Sequence, residues 1–137
     1  MFMDAILYSP EKEIDRAVNN EDWVSAFATS VSYFEYYGAA IIKERCKSLK
    51  IPKYKDIVKN MAASRIVFTL RLLGIVKKET YSKIRKTIQE RNKLIHPEKG
   101  GIGYKHSKEK SRAIELLEDA KECIQTLSEA VIKEKKE

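Results

Sequence analysis

Trp23, Phe27, Val31, Phe34, Gly38 and Ile41 follow one another at steps of four, four, three, four and three. That rhythm is the 3.6-residue period of an α-helix, so the stretch predicts one long amphipathic helix, roughly 21–49, with a continuous apolar stripe. At 1.5 Å per residue such a helix is about 40 Å long, and its stripe must be covered along that whole length. A chain of 137 residues has room for one core, so the cover has to come from a few more helices of the same domain.

The rest of the chain supplies them. "SPEKEIDRAV" opens with Ser9 as an N-cap, Pro10 at the first helical position, and Glu11 and Glu13 in the positive first turn. Asn19 and Asn20 break this short helix, and Asn20 is read as the cap of the long one. After Pro52 a third helix is expected over about 54–73, with Ile57, Met61, Phe68 and Leu72 along one face. Ile66, Val67, Leu70 and Leu73 add apolar surface beyond that face, more than one core can use, and Gly74 suits its C-terminal cap. A fourth helix is expected over about 78–96. A fifth, over about 108–134, carries Ala113, Leu117, Ala120, Ile124, Leu127 and Val131 before a frayed tail at 133–137. The expected fold is therefore all-α: an antiparallel four-helix bundle with a short extra N-terminal helix, in a single domain with its core at about 9–134.

Composition agrees with a globular chain, 43% hydrophobic and 34% charged. Cys46 and Cys123 form no C-x-x-C pair and fit thiols in a reducing compartment. No run approaches the roughly 18 apolar residues of a membrane span, and "MFMDAILYSP" lacks the basic region and long apolar core of a signal peptide. A cytoplasmic protein is expected. The net charge of +7 is uneven: residues 1–40 balance to −5, which leaves +12 on the remainder. A basic surface of that kind suits nucleic acid.

The fourth helix carries the chemistry. Its apolar stripe runs Tyr81, Ile84, Ile88 and Ile95, and Arg91 occupies the slot where the pattern asks for an aliphatic. Beside it runs a polar row, Arg85, Gln89, Asn92 and His96, at steps of four, three and four. Pro97 disfavours helical geometry at His96, which places the imidazole where the helix ends. A permanent cation, an amide and a group that exchanges protons near neutrality thus lie together, a set able to bind a phosphate and manage its protons. The same three residues also fit ordinary helix capping.

"RNKLIHP", in the penultimate long helix of a small bundle, resembles the HEPN (higher eukaryotes and prokaryotes nucleotide-binding) domain family. Its hallmark is an Arg, four to six residues, then a His, often with Asn directly after the Arg. The helix order agrees from about residue 9 to 134. The resemblance implies a bundle that dimerises with both motifs facing one cleft, and a metal-independent endoribonuclease with no cofactor. In such an enzyme Arg91, Asn92 and His96 would be catalytic. It also implies a possible toxin partnered by a minimal nucleotidyltransferase antitoxin. In that branch a tyrosine two residues after the His is the modification target, and here that position is Glu98.

Arg85, Lys93, Lys99, Tyr104 and Lys105 are the candidate RNA- or nucleotide-contacting residues, and Glu35 is a candidate to orient Arg91. His106 has no partner suggested by spacing, no H-E-x-x-H or E-x-x-H pattern marks a metal site, and "GGIG" lacks the Lys-Ser/Thr of a phosphate loop. Two other functions stay open: a non-catalytic module that binds a nucleotide or RNA in the same pocket, and a structural helical dimer.

Overall fold

A computed structural model describes residues 9–95, 104 and 106–136. The described residues form six helices and no strand: α1 (Pro10–Asn19), α2 (Trp23–Ser48), α3 (Tyr54–Lys59), α4 (Ala63–Leu72), α5 (Lys78–Ile95) and α6 (Ser107–Lys136). α2 is the axis of the bundle and touches every other helix. All six residues of its predicted stripe are buried, and Ala26, Ser30 and Ile42 widen the stripe into a face enclosed from several sides. Ser30 stays satisfied inside by donating to the Ala26 carbonyl at 2.9 Å. Gly38 marks a close approach of α2 to α4. A Cβ there would run into Ile66 of α4 and sit 3.3 Å from Leu70 Cδ1, so a hydrogen is all the contact admits.

The turn between α1 and α2 differs from expectation. Ser9 caps α1 as foreseen, accepting from the Lys12 N–H at 3.2 Å, but Asn20 closes α1 instead of opening α2. Glu21 takes a left-handed φ of 53°, and Asp22 then caps α2 by accepting from the Ser25 N–H at 3.2 Å. Two lysines of α6 hold this end down: Lys110 bridges to Glu21 at 2.6 Å, and Lys121 to Asp15 at 2.7 Å.

The expected third helix is two helices. Lys53 starts α3 with a left-handed φ of 55°, and Asn60 ends it, its Nδ2 donating to the Asp56 carbonyl at 3.0 Å. The phase restarts at Ala63, and the buried side is Val58, Ala63, Ile66, Val67 and Leu70. Ile57, Phe68 and Leu72, expected along one packed face, are instead exposed, Leu72 by 73%. Gly74 does cap α4, with φ 74°. Its N–H bonds the Arg71 carbonyl and the Ile75 N–H the Leu70 carbonyl, the paired closure that a left-handed residue permits.

On α5 the expected stripe holds for Ile84 and Ile88 and then turns away. Leu94 is buried while Ile95 is 45% exposed, and Arg91 is half-buried at the rim. α4 begins at Ala63, alongside the last turns of α5, and so leaves the far end of that flank open, while α6 continues along the other flank. α6 packs through Ala113, Leu117, Ala120, Cys123, Ile124 and Leu127. It stays helical to Lys136, beyond the point at which fraying was expected. Arg45 of α2 anchors this end by gripping Glu134 with two nitrogens, at 2.5 and 3.3 Å. Both cysteines are free, and burial pushes the Cys123 thiol up to about 12. No helix among the described residues is long and apolar enough to cross a membrane.

Candidate functional site

Helical spacing puts Arg85, Gln89 and Asn92 in one exposed row on α5, as predicted. With Tyr81 and Ile88 of the same helix and Ser64 of α4 they line a cleft of about 360 Å³. The Arg85 guanidinium lies over the Tyr81 ring, 5.7 Å from its centroid, which holds the cation at the cleft wall. Arg91 is turned towards the same row, its Nε donating to Asn92 Oδ1 at 2.9 Å. That bond uses one arginine donor and the amide oxygen. Among the described residues, the terminal guanidinium nitrogens and the Asn92 Nδ2 have no hydrogen-bond partner and can donate to an anion at the rim.

His96, Lys99 and Lys105 lie outside the described residues. Glu35 sits half-buried on α2, and among the described residues no hydrogen bond or ion pair joins it to Arg91. The hydrogen bond that Arg91 makes in the structure is to Asn92, adjacent in sequence, not to a residue across the bundle. Lys93 projects to the other side of α5. There it borders a second groove, of about 570 Å³, between α5 and α6, with Lys86, Arg112, Glu115 and Asp119. Gln89 edges both hollows, so α5 is a polar ridge between them.

Tyr104 packs against the start of α2 and the end of α5. Its ring stands edge-on to Trp23, with centroids 5.5 Å apart, and its hydroxyl donates to Glu90 Oε2. Burial, then the Glu90 carboxylate that accepts its proton, push this hydroxyl above its ordinary value, so it remains a donor. The side chain is half-buried, with its hydroxyl on Glu90 and its ring against Trp23. Glu90 itself was missed by sequence reasoning. It is 4% exposed, and Arg112 Nη2 approaches its Oε1 at 3.4 Å. The available signal was weak: Glu90 follows Thr87 by three and precedes Leu94 by four, which puts it in line with two buried positions.

Of the four clustered aromatics on α2, only Phe34 is core. Tyr33 stacks on Tyr37 at 6.0 Å, and Tyr36 is exposed. Among the described residues no three His, Cys, Asp or Glu side chains converge as a metal site would require. No protein family, curated protein or solved structure matches the chain.

Proposed function

We propose that this chain is a metal-independent endoribonuclease of HEPN type that acts as a homodimer. The observation that carries the proposal is the pairing of Arg91 with Asn92 beside the α5 cleft, five and four residues before His96. In the reaction the RNA 2′-oxygen attacks the adjacent phosphorus while His96 takes its proton. The P–O5′ bond breaks, and the 5′-oxygen leaves with a proton from the partner subunit's His96. Arg91 neutralises charge gathering on the non-bridging oxygens, and Asn92 fixes the guanidinium. Arg85 and Lys93 hold flanking phosphates on either side of the α5 ridge.

The dimer reading is supported by α4. Ser64, Phe68 and Leu72 form one row at steps of four, and the row begins at the cleft and continues as exposed apolar surface, with Phe68 54% accessible. A second copy over that row would wall the cleft with protein. Cellular use as a toxin, held by a nucleotidyltransferase-type antitoxin, is compatible with this chemistry, although Glu98 stands where that branch carries its target tyrosine. The second reading, a binding module without cleavage, is favoured by the donors Arg85, Gln89 and Asn92, which hold a phosphate with no proton transfer.

The deciding experiment incubates RNA with the protein and a chelator. Cleavage should yield 2′,3′-cyclic phosphate ends and spare DNA, and it should vanish in Arg91→Ala and His96→Ala proteins that remain folded. RNA left intact by the wild type, together with nucleotide-induced shifts of Asn92, assigns the binding module. Light scattering should give twice 15.8 kDa, and Leu72→Glu should return the monomer.

A further inference from the structure

Four exposed large hydrophobics, Leu49, Ile51, Leu73 and Ile132, stand at one end of the bundle, where α2, α4 and α6 all finish. A hollow of about 200 Å³ brings these ends together: Arg45 of α2, Leu73 and Gly74 after α4, and Ala130 and Lys133 of α6 line it. Leu49 is 63% exposed and Ile132 55%, so the core makes little use of either. Leu72, close by in the chain, continues the α4 row described above. The cleft beside Arg91 lies at the opposite end. α6 passes Glu90 at Arg112 and reaches Lys133 twenty-one residues later, about 30 Å along its axis.

The same end is strongly basic. Lys47, Lys50 and Lys53 cluster where α2 gives way to α3, and Lys133, Lys135 and Lys136 occupy the last turn of α6. All six are exposed, and none has an ion pair among the described residues. The nearby arginines are engaged, Arg45 with Glu134 and Arg71 with the Val76 carbonyl at 3.5 Å. Lysines near helix C-termini complement the negative end of the macrodipole, which accounts for part of this charge. It does not account for the aliphatics set among them, nor for the choice of Lys50. That residue takes a left-handed φ of 58° just past α2, its N–H on the Lys47 carbonyl and the Ile51 N–H on the Cys46 carbonyl. Glycine closes a helix in this way without strain, and here a charged side chain stands in its place.

We propose that this end of the bundle docks on an anionic lipid surface. The lysines meet headgroup phosphates, and Leu49 and Ile132 enter the boundary of the acyl chains. Charge complementarity supplies the attraction, and the aliphatics decide which polyanion is met. Along a nucleic-acid backbone Leu49 and Ile132 stay in water and gain nothing. At a bilayer interface each of them buries apolar surface. This goes beyond the ribonuclease reading and does not depend on it.

Flotation of the full chain with lipid vesicles is the test. The wild type should float with vesicles of phosphatidylcholine and phosphatidylglycerol in equal amounts, and not with phosphatidylcholine alone. Added salt should weaken the binding. Lys50→Gly, which suits the left-handed backbone, and Lys135→Ala should each lower partitioning about fivefold, the scale of one basic residue at such a surface. The melting temperature of Lys50→Gly should not fall. Leu49→Ser/Ile132→Ser keeps every charge and should lower partitioning by at least about tenfold, because several buried methylenes are lost. Its binding to single-stranded RNA should stay at the wild-type level. Lys108→Ala, in the first turn of α6 at the far end, should float as the wild type does. Absence of flotation overturns the proposal, as does equal flotation with neutral vesicles or binding unmoved by the aliphatic double variant. RNA binding that is lost in Lys50→Gly and Lys135→Ala, with no vesicle binding at all, assigns this end to RNA and overturns it too.

Discussion

The contact of α2 with α4 and the last turns of α5 are both tightly engaged, yet their residues answer to different demands. Gly38 lies among the buried apolar side chains of Phe34, Ile66 and Leu70, and Ile66 comes so close that no Cβ is admitted. Packing alone explains each residue choice there. At the end of α5 a buried carboxylate, a half-buried arginine and an asparagine gather within three consecutive positions, Glu90 to Asn92. Packing would have chosen an aliphatic at the buried one, Glu90. The contrast separates what the fold needs from what it carries, and substitutions in the two regions should move different observables.

Phe34→Ala should produce the largest effect on stability, a loss of about 3–5 kcal/mol in denaturant titrations, because a fully buried ring leaves a cavity between helices. RNA cleavage per folded molecule should stay near wild type. Arg91→Ala should do the reverse, with unfolding free energy almost unchanged and more than about 2 kcal/mol of transition-state stabilisation lost, read as kcat/KM. If Arg91→Ala instead melts the protein, the polar cluster is structural and the contrast fails.

Gly38→Ala comes next. The added methyl meets the branched Ile66, which cannot swing aside as a long flexible side chain would, so overpacking should cost about 1–3 kcal/mol. A paired Ile66→Ala change removes the Cγ2 that the new methyl meets, so it should recover part of that, read as a double-variant loss smaller than the sum of the two single losses. Lack of any recovery would mean that the backbones, not the side chains, set the α2–α4 distance.

Periodicity made α2 legible because neighbours enclose its stripe along much of its length, and any shift in their angle still finds an apolar residue. It misled on α5 because burial there depends on where α4 begins, a tertiary fact absent from the sequence of α5 itself. The stripe was extended through Arg91 to Ile95, while α6 chose Glu90 and Leu94. The third helix failed for a local reason, the Asn60 side chain bonding back to Asp56 and ending α3 within two turns. In the candidate site, the row Arg85, Gln89, Asn92 followed from spacing alone. Glu90 did not, because an acid in a basic helix resembles a solvated residue, and its partners are too distant in sequence for any helical period to connect.

The smallest expected effect lies at the start of α2, which reaches the end of α5 through Trp23, Tyr104 and Glu90. Asn20 and Asp22 are both residue types that cap helices, but only Asp22 has its side chain on the first turn of α2, at the Ser25 N–H. Asp22→Ala should therefore cost about 1 kcal/mol in thermal or denaturant unfolding. Asn20→Ala should cost less, since Asn20 closes α1 through its backbone N–H to Arg16 and Val18. The next residue, Trp23, is buried in the core and also braces Tyr104. A frayed first turn should thus reach the candidate site through that ring contact and lower cleavage slightly, with Asn20→Ala as the silent control. Equal stability losses in the two variants would overturn the cap assignment. A stability loss in Asp22→Ala with no change in rate would show that the Trp23–Tyr104 contact does not transmit to the end of α5.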